Sequence, residues 1–376
     1  MIIGFDAKRI VRNATGLGSY SRTLVNDLAQ IVPQGTKMLL YSPDRGRDEL
    51  RKQIDETDTV RYVYPQDCFF RLSRDLWRTK GIIADLKRDK VNIFHGLTGE
   101  LPVGIKKSGI KSVVTIHDLI FMHHPEYYNW IDTKIYKWKF YQTCKEADRI
   151  IAISECTKRD IMKFGGVDPS KIDVIYQSCS TEYKARESEK KLQQVHTDYM
   201  LPNRYIVNVG TIEERKNVLL AVKALTMLPE EINLVVVGRP TPYTDTVKEF
   251  VAEHAMEKRV KFLHGVPHDD LPAIYQMAEA CVYPSRYEGF GLPIIEAIQS
   301  GLPVVACTGS CLEEAGGNDT IYVKPDDVFG MAEAIKQVLV GAPGRDERIE
   351  RSQQYVKRFE GNNVAQKVYD VYCKLL

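Results

Sequence analysis

The stretch Ala280-Cys-Val-Tyr-Pro-Ser-Arg-Tyr-Glu-Gly-Phe-Gly-Leu-Pro-Ile-Ile-Glu-Ala-Ile-Gln-Ser-Gly-Leu-Pro-Val-Val-Ala306 decides how the chain folds. Ala280–Tyr283 and Pro303–Ala306 are short apolar runs of strand character. Between them lie a glycine-rich turn, Gly289-Phe290-Gly291, and a helix that Pro293 is suited to open, because a first-turn residue needs no N–H. Glu288 falls in the loop and Glu296 about one turn into the helix. The N-terminal amides of that helix, with Gly291 allowing close backbone approach, make a seat for an anion. Two carboxylates around such a seat would bracket a phosphate-bearing ligand.

The same alternation runs outward in both directions. Strand-like runs occur at Tyr205–Val209, Ile232–Val237 and Val260–Leu263, separated by helical patterns at Asn217–Met227, Thr244–His254 and Leu271–Ala278. Nearer the N-terminus they recur at Ile2–Phe5, Lys37–Tyr41, Thr59–Val63, Ile93–His95, Ser112–Ile116, Arg149–Ile153 and Ile172–Ile175. Helical patterns there cover Gly16 to about Ala29, Leu72–Asp89, Trp130–Glu146 and Glu155–Lys163, the last with Ser154 as N-cap. Strands alternating with helices predict parallel, doubly wound α/β sheets. The chain has 376 residues, more than one ordinary core holds. The pattern breaks in a polar, charge-dense stretch around Glu187-Ser-Glu-Lys-Lys191. We therefore expect an N-terminal domain over 1–180, a linker over 181–203 and a C-terminal domain over 204–361. The last helix, about 362–376, is free to return to the first domain. Ligands of such sheets sit at the carboxyl ends of the strands, so a central cleft between the two domains is expected.

Composition narrows the class. The chain is 44% hydrophobic and 27% charged, as soluble globular proteins are, and its net charge of +2 gives no reason to expect nucleic acid. Eight cysteines are scattered without paired metal or disulfide spacing, which fits free thiols in a reducing compartment. The Met-Ile-Ile-Gly-Phe-Asp start lacks the basic segment of a signal peptide, and no apolar run is long enough to span a bilayer. A cytoplasmic protein, with contact at the inner membrane face left open, is the expectation.

Several residues admit two readings. Arg215-Lys216 follow a strand and Gly210, and suit either a diphosphate clamp or a solvated basic turn. His117, at the end of an apolar strand, suits either a packing role or a site. Gly16-Leu17-Gly18 opens a helix, but Ser21 stands where a dinucleotide fingerprint needs its third glycine, so hydride-cofactor binding is not indicated. Arg71–Lys90 and Lys134, Lys137 and Lys139 are either solvated helix faces or a weak membrane contact. No histidine pair or D-x-D-like carboxylate pair has metal-ligand spacing, so no metal is expected.

Glu288-Gly289-Phe290-Gly291-Leu292-Pro293 with Glu296 closely resembles the E-x7-E signature of retaining glycosyltransferases of GT-B fold, the large family-four group. The resemblance extends to Gly210-Thr-Ile-Glu-Glu-Arg-Lys-Asn217, Ile116-His-Asp118, Ala147–Ser154 and Tyr322–Asp327, and covers most of the chain. It implies two Rossmann-like domains and transfer of a sugar from a nucleotide diphosphate, with no cofactor. It gives Arg215 and Lys216 to the leaving diphosphate, Glu296 to the ribose hydroxyls, Glu288 and His117 to the donor sugar, and the amides near Phe290, Gly291 and Leu292 to the sugar or phosphate. Gly210 belongs to the phosphate loop, and Gly16 and Gly18 to a loop that closes over the donor phosphates. The base is expected near Arg239 and the His264-Gly-Val266 turn. The motifs look most like bacterial mannosyl- or rhamnosyl-type transferases of surface-polysaccharide assembly, which makes GDP-mannose the first donor and a UDP-sugar the second. The acceptor would be a glycan or lipid-linked hydroxyl. Another GT-B enzyme, such as a phosphorylase or a sugar-nucleotide epimerase, and a non-catalytic nucleotide-sugar binder are the alternatives.

Overall fold

The apolar runs become the strands of two parallel sheets. In a computed structural model, which describes residues 1–65, 71–360 and 363–376, the first sheet holds β1 (Ile2–Asp6), β2 (Lys37–Tyr41), β3 (Val60–Val63), β4 (Ile93–Gly96), β5 (Lys111–Ile116), β6 (Arg149–Ala152) and β7 (Ile172–Val174). Its order is β3-β2-β1-β4-β5-β6-β7. The second sheet holds β8 (Tyr205–Val209), β9 (Asn233–Val237), β10 (Val260–Leu263), β11 (Ala280–Tyr283), β12 (Val304–Cys307) and β13 (Ile321–Val323), in the order β10-β9-β8-β11-β12-β13. Pairing is parallel; β8 meets β9 from Tyr205 opposite Asn233 to Val209 opposite Val237. The central strands are continuous apolar runs because helices cover both faces. In each sheet the order reverses once, between β1 and β4 and between β8 and β11, and a crevice opens at the carboxyl ends beside such a reversal.

The helices that matter to the sites are α1 (Gly16–Ile31), α2 (Trp130–Glu146), α3 (Glu189–Asp198), α4 (Val218–Leu225), α5 (Leu292–Gln299) and α6 (Val364–Cys373). The chain divides into two compact units: Met1–Gln177 with Asn362–Leu376, and Ser178–Gly361. α6 lies on the first unit because Val364, Ala365, Val368, Val371 and Tyr372 form one apolar stripe. They share a core with Leu24, Val25 and Leu28 of α1.

Residues 181–203, expected as a linker, instead lie within the second unit and carry α3. They bury Tyr183, Val195 and Leu201, and polar contacts add to the attachment: Lys191 pairs with Asp270, the Tyr199 hydroxyl donates to Asp270 at 2.7 Å, and Gln276 donates to the Ala185 carbonyl at 2.8 Å. Within α3 only Val195 is buried. The segment before α1, read as a loop, contains a short helix, Lys8–Arg12. The single helix expected over Leu72–Asp89 is interrupted by a π-helical turn at Trp77–Gly81. That interruption accompanies a correction to the basic face read there. Arg78 has a side chain only 10% exposed and is bonded to Asp6 and Glu100, each at 2.5 Å. Arg74 reaches Asp44 and Arg88 reaches Asp85. These arginines answer carboxylates of their own unit.

The cysteines at 144, 156, 179, 281, 307, 311 and 373 are free thiols, and Cys68 lies outside the described residues. Among the described residues no helix is long and apolar enough to cross a membrane.

Candidate active site

The crevice between β8 and β11 gathers most of the second unit's candidates. β8 is followed by Gly210, whose φ of +151° lies where side-chain-bearing residues are strained. The neighbouring strand end is as close: a Cβ on Gly238 would stand 1.8 Å from the Gly210 carbonyl oxygen. Beyond Gly210 the chain makes a tight turn, Glu214–Lys216, and Asn217 takes a left-handed conformation before α4 begins. The Asn217 amide donates to the carbonyls of Pro284 and Pro325, so it ties the loops after β11 and β13 to the turn.

This turn points two cations at one carboxylate. Arg215 Nη1 lies 2.9 Å from Glu288 Oε2, and Lys216 Nζ lies 2.5 Å from Glu288 Oε1. Arg215 also pairs with Glu213 at 2.6 Å and donates to the Tyr287 carbonyl. Tyr283, the last residue of β11, completes the group: Lys216 donates to its hydroxyl at 2.7 Å, and that hydroxyl reaches Glu288 at 3.1 Å. Burial alone would raise the Glu288 carboxyl, but Lys216 and Arg215 outweigh it and bring it down to about 2. Burial likewise works to lower the two cations, and Glu288 more than reverses it, so both are held protonated above their ordinary range. The result is a charged cluster held ready in a partly dry crevice.

The loop from Glu288 to Leu292 is fixed from behind. The buried Cys311 thiol donates to the carbonyls of Glu288, at 3.1 Å, and Phe290, at 2.8 Å. Gly291 has φ +119°, and a Cβ there would press on Leu312 and Ala315. The Phe290 ring turns into the core, edge-on to Phe359, so only its backbone remains for a ligand. Leu292 begins α5, with Pro293 in its first turn. The seat of amides is narrower than expected, since Pro293 has no N–H and that of Ile294 closes on the Gly291 carbonyl.

Glu296 sits in a different environment. The Tyr275 hydroxyl donates to it at 3.3 Å. Burial raises its carboxyl to about 7, against the smaller opposing pull of Tyr275, His268 and Lys216. Two glutamates eight residues apart thus lie on opposite sides of their ordinary range. Arg239 is exposed at the end of β9, its carbonyl accepting the Ile212 amide. Val266 follows β10, after His264 has bonded to the Gly238 carbonyl at 2.7 Å. The strand order places the loop after β9 beside Gly210 and the loop after β10 one strand further out.

The first unit holds the remaining candidates. His117, buried at the end of β5, bonds through Nε2 to the Leu97 carbonyl at 3.0 Å and through Nδ1 to Gln177 at 3.2 Å. An acceptor at Leu97 fixes the proton on Nε2, which leaves Nδ1 to accept from the Gln177 amide. Burial lowers its pKa to about 4. The Tyr20 ring meets it edge-on at 4.7 Å. Gly18 is required by its surroundings, because a Cβ would stand 1.8 Å from the Asn13 carbonyl oxygen; Gly16 faces open space. The buried Arg22 donates to the Ile10 and Asn13 carbonyls and holds this loop. Beside His117 a cavity of about 230 Å³ is walled by Arg9, Leu17, Phe121, Tyr128, Tyr136 and Lys139.

Sequence reasoning missed Tyr283, Cys311, Asn217, Arg22 and Gln177. Two of them carried a signal: Asn217 closes the Gly210–Asn217 stretch of the resemblance, and Tyr283 is a hydroxyl-bearing residue ending the strand before the motif.

Comparison with known proteins agrees with this geometry. The family model for Glycosyltransferase Family 4 matches residues 14–183, and that for Glycosyl transferases group 1 matches residues 194–355. The chain is 27% identical over its full length to the whole of O-antigen chain mannosyltransferase B of Escherichia coli. It is 29% identical to O-antigen chain mannosyltransferase RfbU of Salmonella typhimurium over 68% of this chain and 67% of that one. HepE of Anabaena, solved with UDP and glucose, superposes with a TM-score of 0.75 at 17% identity, covering 99% of each chain. Two Rossmann-like sheets of this order are those of a GT-B glycosyltransferase. The chain belongs to the family-four, group-1 glycosyltransferases and is a hexosyltransferase.

Proposed function

We propose that the protein transfers a mannosyl residue from GDP-mannose to a hydroxyl of a glycan or lipid-linked acceptor, with retention of anomeric configuration, in the assembly of a surface polysaccharide. The observation that carries this reading is the Arg215–Glu288–Lys216 cluster at the β8/β11 crevice. The similarity to two O-antigen mannosyltransferases supports mannose as the sugar. The HepE complex keeps a UDP-sugar as the second donor.

In this reading the donor diphosphate lies against Arg215 and Lys216, with Arg215 offering a planar fork and Lys216 a point charge. As the glycosidic bond breaks, its electron pair moves to the diphosphate oxygen, and the two cations stabilise that growing charge. The sugar develops oxocarbenium character. The acceptor hydroxyl attacks from the face the diphosphate leaves, and its proton passes to the departing phosphate oxygen. Glu288 and the loop amides near Phe290, Gly291 and Leu292 hold the sugar, while Gly210 admits the phosphates. Glu296 accepts from the ribose hydroxyls, and Arg239 and Val266 border the base. No metal enters this scheme, because Arg215 and Lys216 supply the positive charge.

In the first unit His117 contributes to the donor sugar, and the neighbouring cavity receives the acceptor. Gly16 and Gly18 belong to the loop beside the donor phosphates. His117 has both ring nitrogens occupied, so contact with a sugar hydroxyl requires Gln177 to release Nδ1. We place the protein in the cytoplasm, an assignment supported by its similarity to O-antigen mannosyltransferases.

The test is a panel of nucleotide sugars scored by thermal shift, since a ligand that binds only the native state raises the melting temperature. GDP-mannose should give the largest rise, and release of GDP with an added glycan acceptor should persist in a chelator. A larger rise with UDP-sugars would overturn the donor. Loss of turnover on chelation would overturn the metal-free scheme.

A further inference from the structure

Three donors converge on the Glu288 carboxylate. Arg215 Nη1 meets Oε2, while Lys216 Nζ and the Tyr283 hydroxyl both meet Oε1. The bonding of the hydroxyl is fixed by its neighbours. An ammonium has only donors, so Tyr283 accepts from Lys216, at 2.7 Å. An ionised carboxylate has only lone pairs, so the hydroxyl proton points at Glu288, 3.1 Å away. Tyr283 holds that proton on a rigid support. It ends β11, paired with Ala306 of β12, and is 1% exposed. The Lys216 ammonium also stands 5.1 Å over its ring. Burial first, and then the charge of Glu288, raise the phenol above its ordinary range, so the hydroxyl keeps its proton.

We propose that the Tyr283 hydroxyl donates a hydrogen bond to the leaving diphosphate oxygen, as a third catalytic donor beside Arg215 and Lys216. The role rests on the function proposed above, in which those two cations face the diphosphate and Glu288 the sugar. Donors that converge on one anion converge on the anion that replaces it, and the Glu288 carboxylate marks where their hydrogen atoms point. When Glu288 turns to the sugar, the Tyr283 proton loses its acceptor. A buried hydroxyl without an acceptor costs free energy, which a phosphate oxygen in the same place recovers. Tyr283 gives up no proton in this step. As the glycosidic bond breaks, its electron pair moves to the diphosphate oxygen, and Tyr283 shares its O–H with that oxygen. The acceptor hydroxyl supplies the proton the oxygen finally carries. The oxygen bears more charge once the bond is broken, so the hydrogen bond strengthens along the reaction. A contact of that kind raises the rate rather than only the affinity. A packing role would not need the hydroxyl, because phenylalanine fills the same space at the end of β11.

The test is Tyr283→Phe in the full chain, with GDP-mannose as donor, or the UDP-sugar if the thermal-shift panel ranks it higher. Turnover is read as release of the nucleoside diphosphate, and a thermal melt of the same sample shows that the variant is folded. We expect kcat to fall about ten-fold or more while KM for the donor stays within about two-fold. The free nucleoside diphosphate carries the full charge of the leaving oxygen. Calorimetry should therefore show it binding about ten-fold more weakly to the variant, with the intact nucleotide sugar little changed. A wild-type kcat in Tyr283→Phe would overturn the proposal, as would equal weakening of both ligands. The same substitution in a Lys216→Met background separates direct contact from support of Lys216. An effect that persists there supports the contact; one that vanishes overturns it and leaves Tyr283 as a positioning residue for Lys216. A wild type that binds no nucleotide sugar overturns the function proposed above, so the two failures are distinguishable.

Discussion

Glu288 holds two cations at once, and this sets what each substitution does. Lys216→Met removes positive charge from where the leaving diphosphate would collect its own. We expect transfer to fall by at least about a hundred-fold, roughly 3 kcal/mol of transition-state stabilisation, with the fold kept. Circular dichroism and turnover on the same sample check it. Glu288→Gln should act differently. It leaves two cations facing each other in a crevice, so the melting temperature falls, while GDP binds more tightly because a competing anion is gone; calorimetry reads the second effect. The pH dependences of the two glutamates have opposite sign. The Glu288 carboxyl is depressed, so its contribution to stability is present above about pH 4.5 and is lost as the pH falls toward 2. The Glu296 carboxyl is raised, so its contribution is present below about pH 4.5 and is lost as the pH rises through about 7. If the ribose binds the ionised form, affinity for a nucleotide sugar should drop toward ten-fold per pH unit below about 7, and Glu296→Gln should abolish that dependence. A nucleotide sugar suits the measurement because its diphosphate does not titrate near neutrality. At this scale the sequence displayed the residue types but not their partners. Glu288 and Glu296 look alike in the chain, and their carboxyls part because Lys216 and Arg215 come from a loop some seventy positions away.

Among the elements, the opening of α1 separates two glycines that look equivalent in sequence. Gly18→Ala would push a methyl into the Asn13 carbonyl, and overpacking of that kind costs about 1–3 kcal/mol. Gly16→Ala meets nothing within 4 Å. We expect the first variant to melt several degrees lower and the second to melt like wild type. Any loss of activity in Gly16→Ala would then locate that glycine at the ligand. The short apolar strands were readable as apolar runs: β8, β10 and β11 fall where the pattern puts them, and α2 spans the bounds expected for it. α3 was not readable, because it buries only Val195 and its Lys191 is held by Asp270, a contact from distant sequence. The π-helical turn at Trp77–Gly81 was not readable either. Its inward arginine carries no mark in a segment whose other basic residues look the same.

Across the whole chain, the C-terminal helix returns to the first unit and joins its polar interior. The Tyr372 hydroxyl bonds to His95 Nδ1 at 2.6 Å, and His95 Nε2 bonds to the Thr115 hydroxyl at 2.9 Å. The Tyr20 hydroxyl comes within 3.5 Å of the same threonine, and its ring braces His117. Burial keeps His95 neutral, with its pKa down to about 3, so each ring nitrogen needs one fixed partner. Tyr372→Phe should therefore destabilise the protein by about 1–3 kcal/mol, because it strands a buried nitrogen. If the chain to His117 transmits the change, kcat/KM falls as well, while donor affinity in the second unit is untouched. A thermal melt beside steady-state kinetics separates the two. The sequence by itself determined two α/β units, parallel strands, and a glycine-rich turn after β11. These rest on local periodicity and on backbone positions that only glycine or proline fills. Tertiary structure alone decided that Glu288 pairs with both Arg215 and Lys216, that Cys311 fixes the loop, that Gln177 occupies His117, and that Tyr372 reaches His95. Each is a contact between residues distant in the chain, and such contacts leave no period in a sequence.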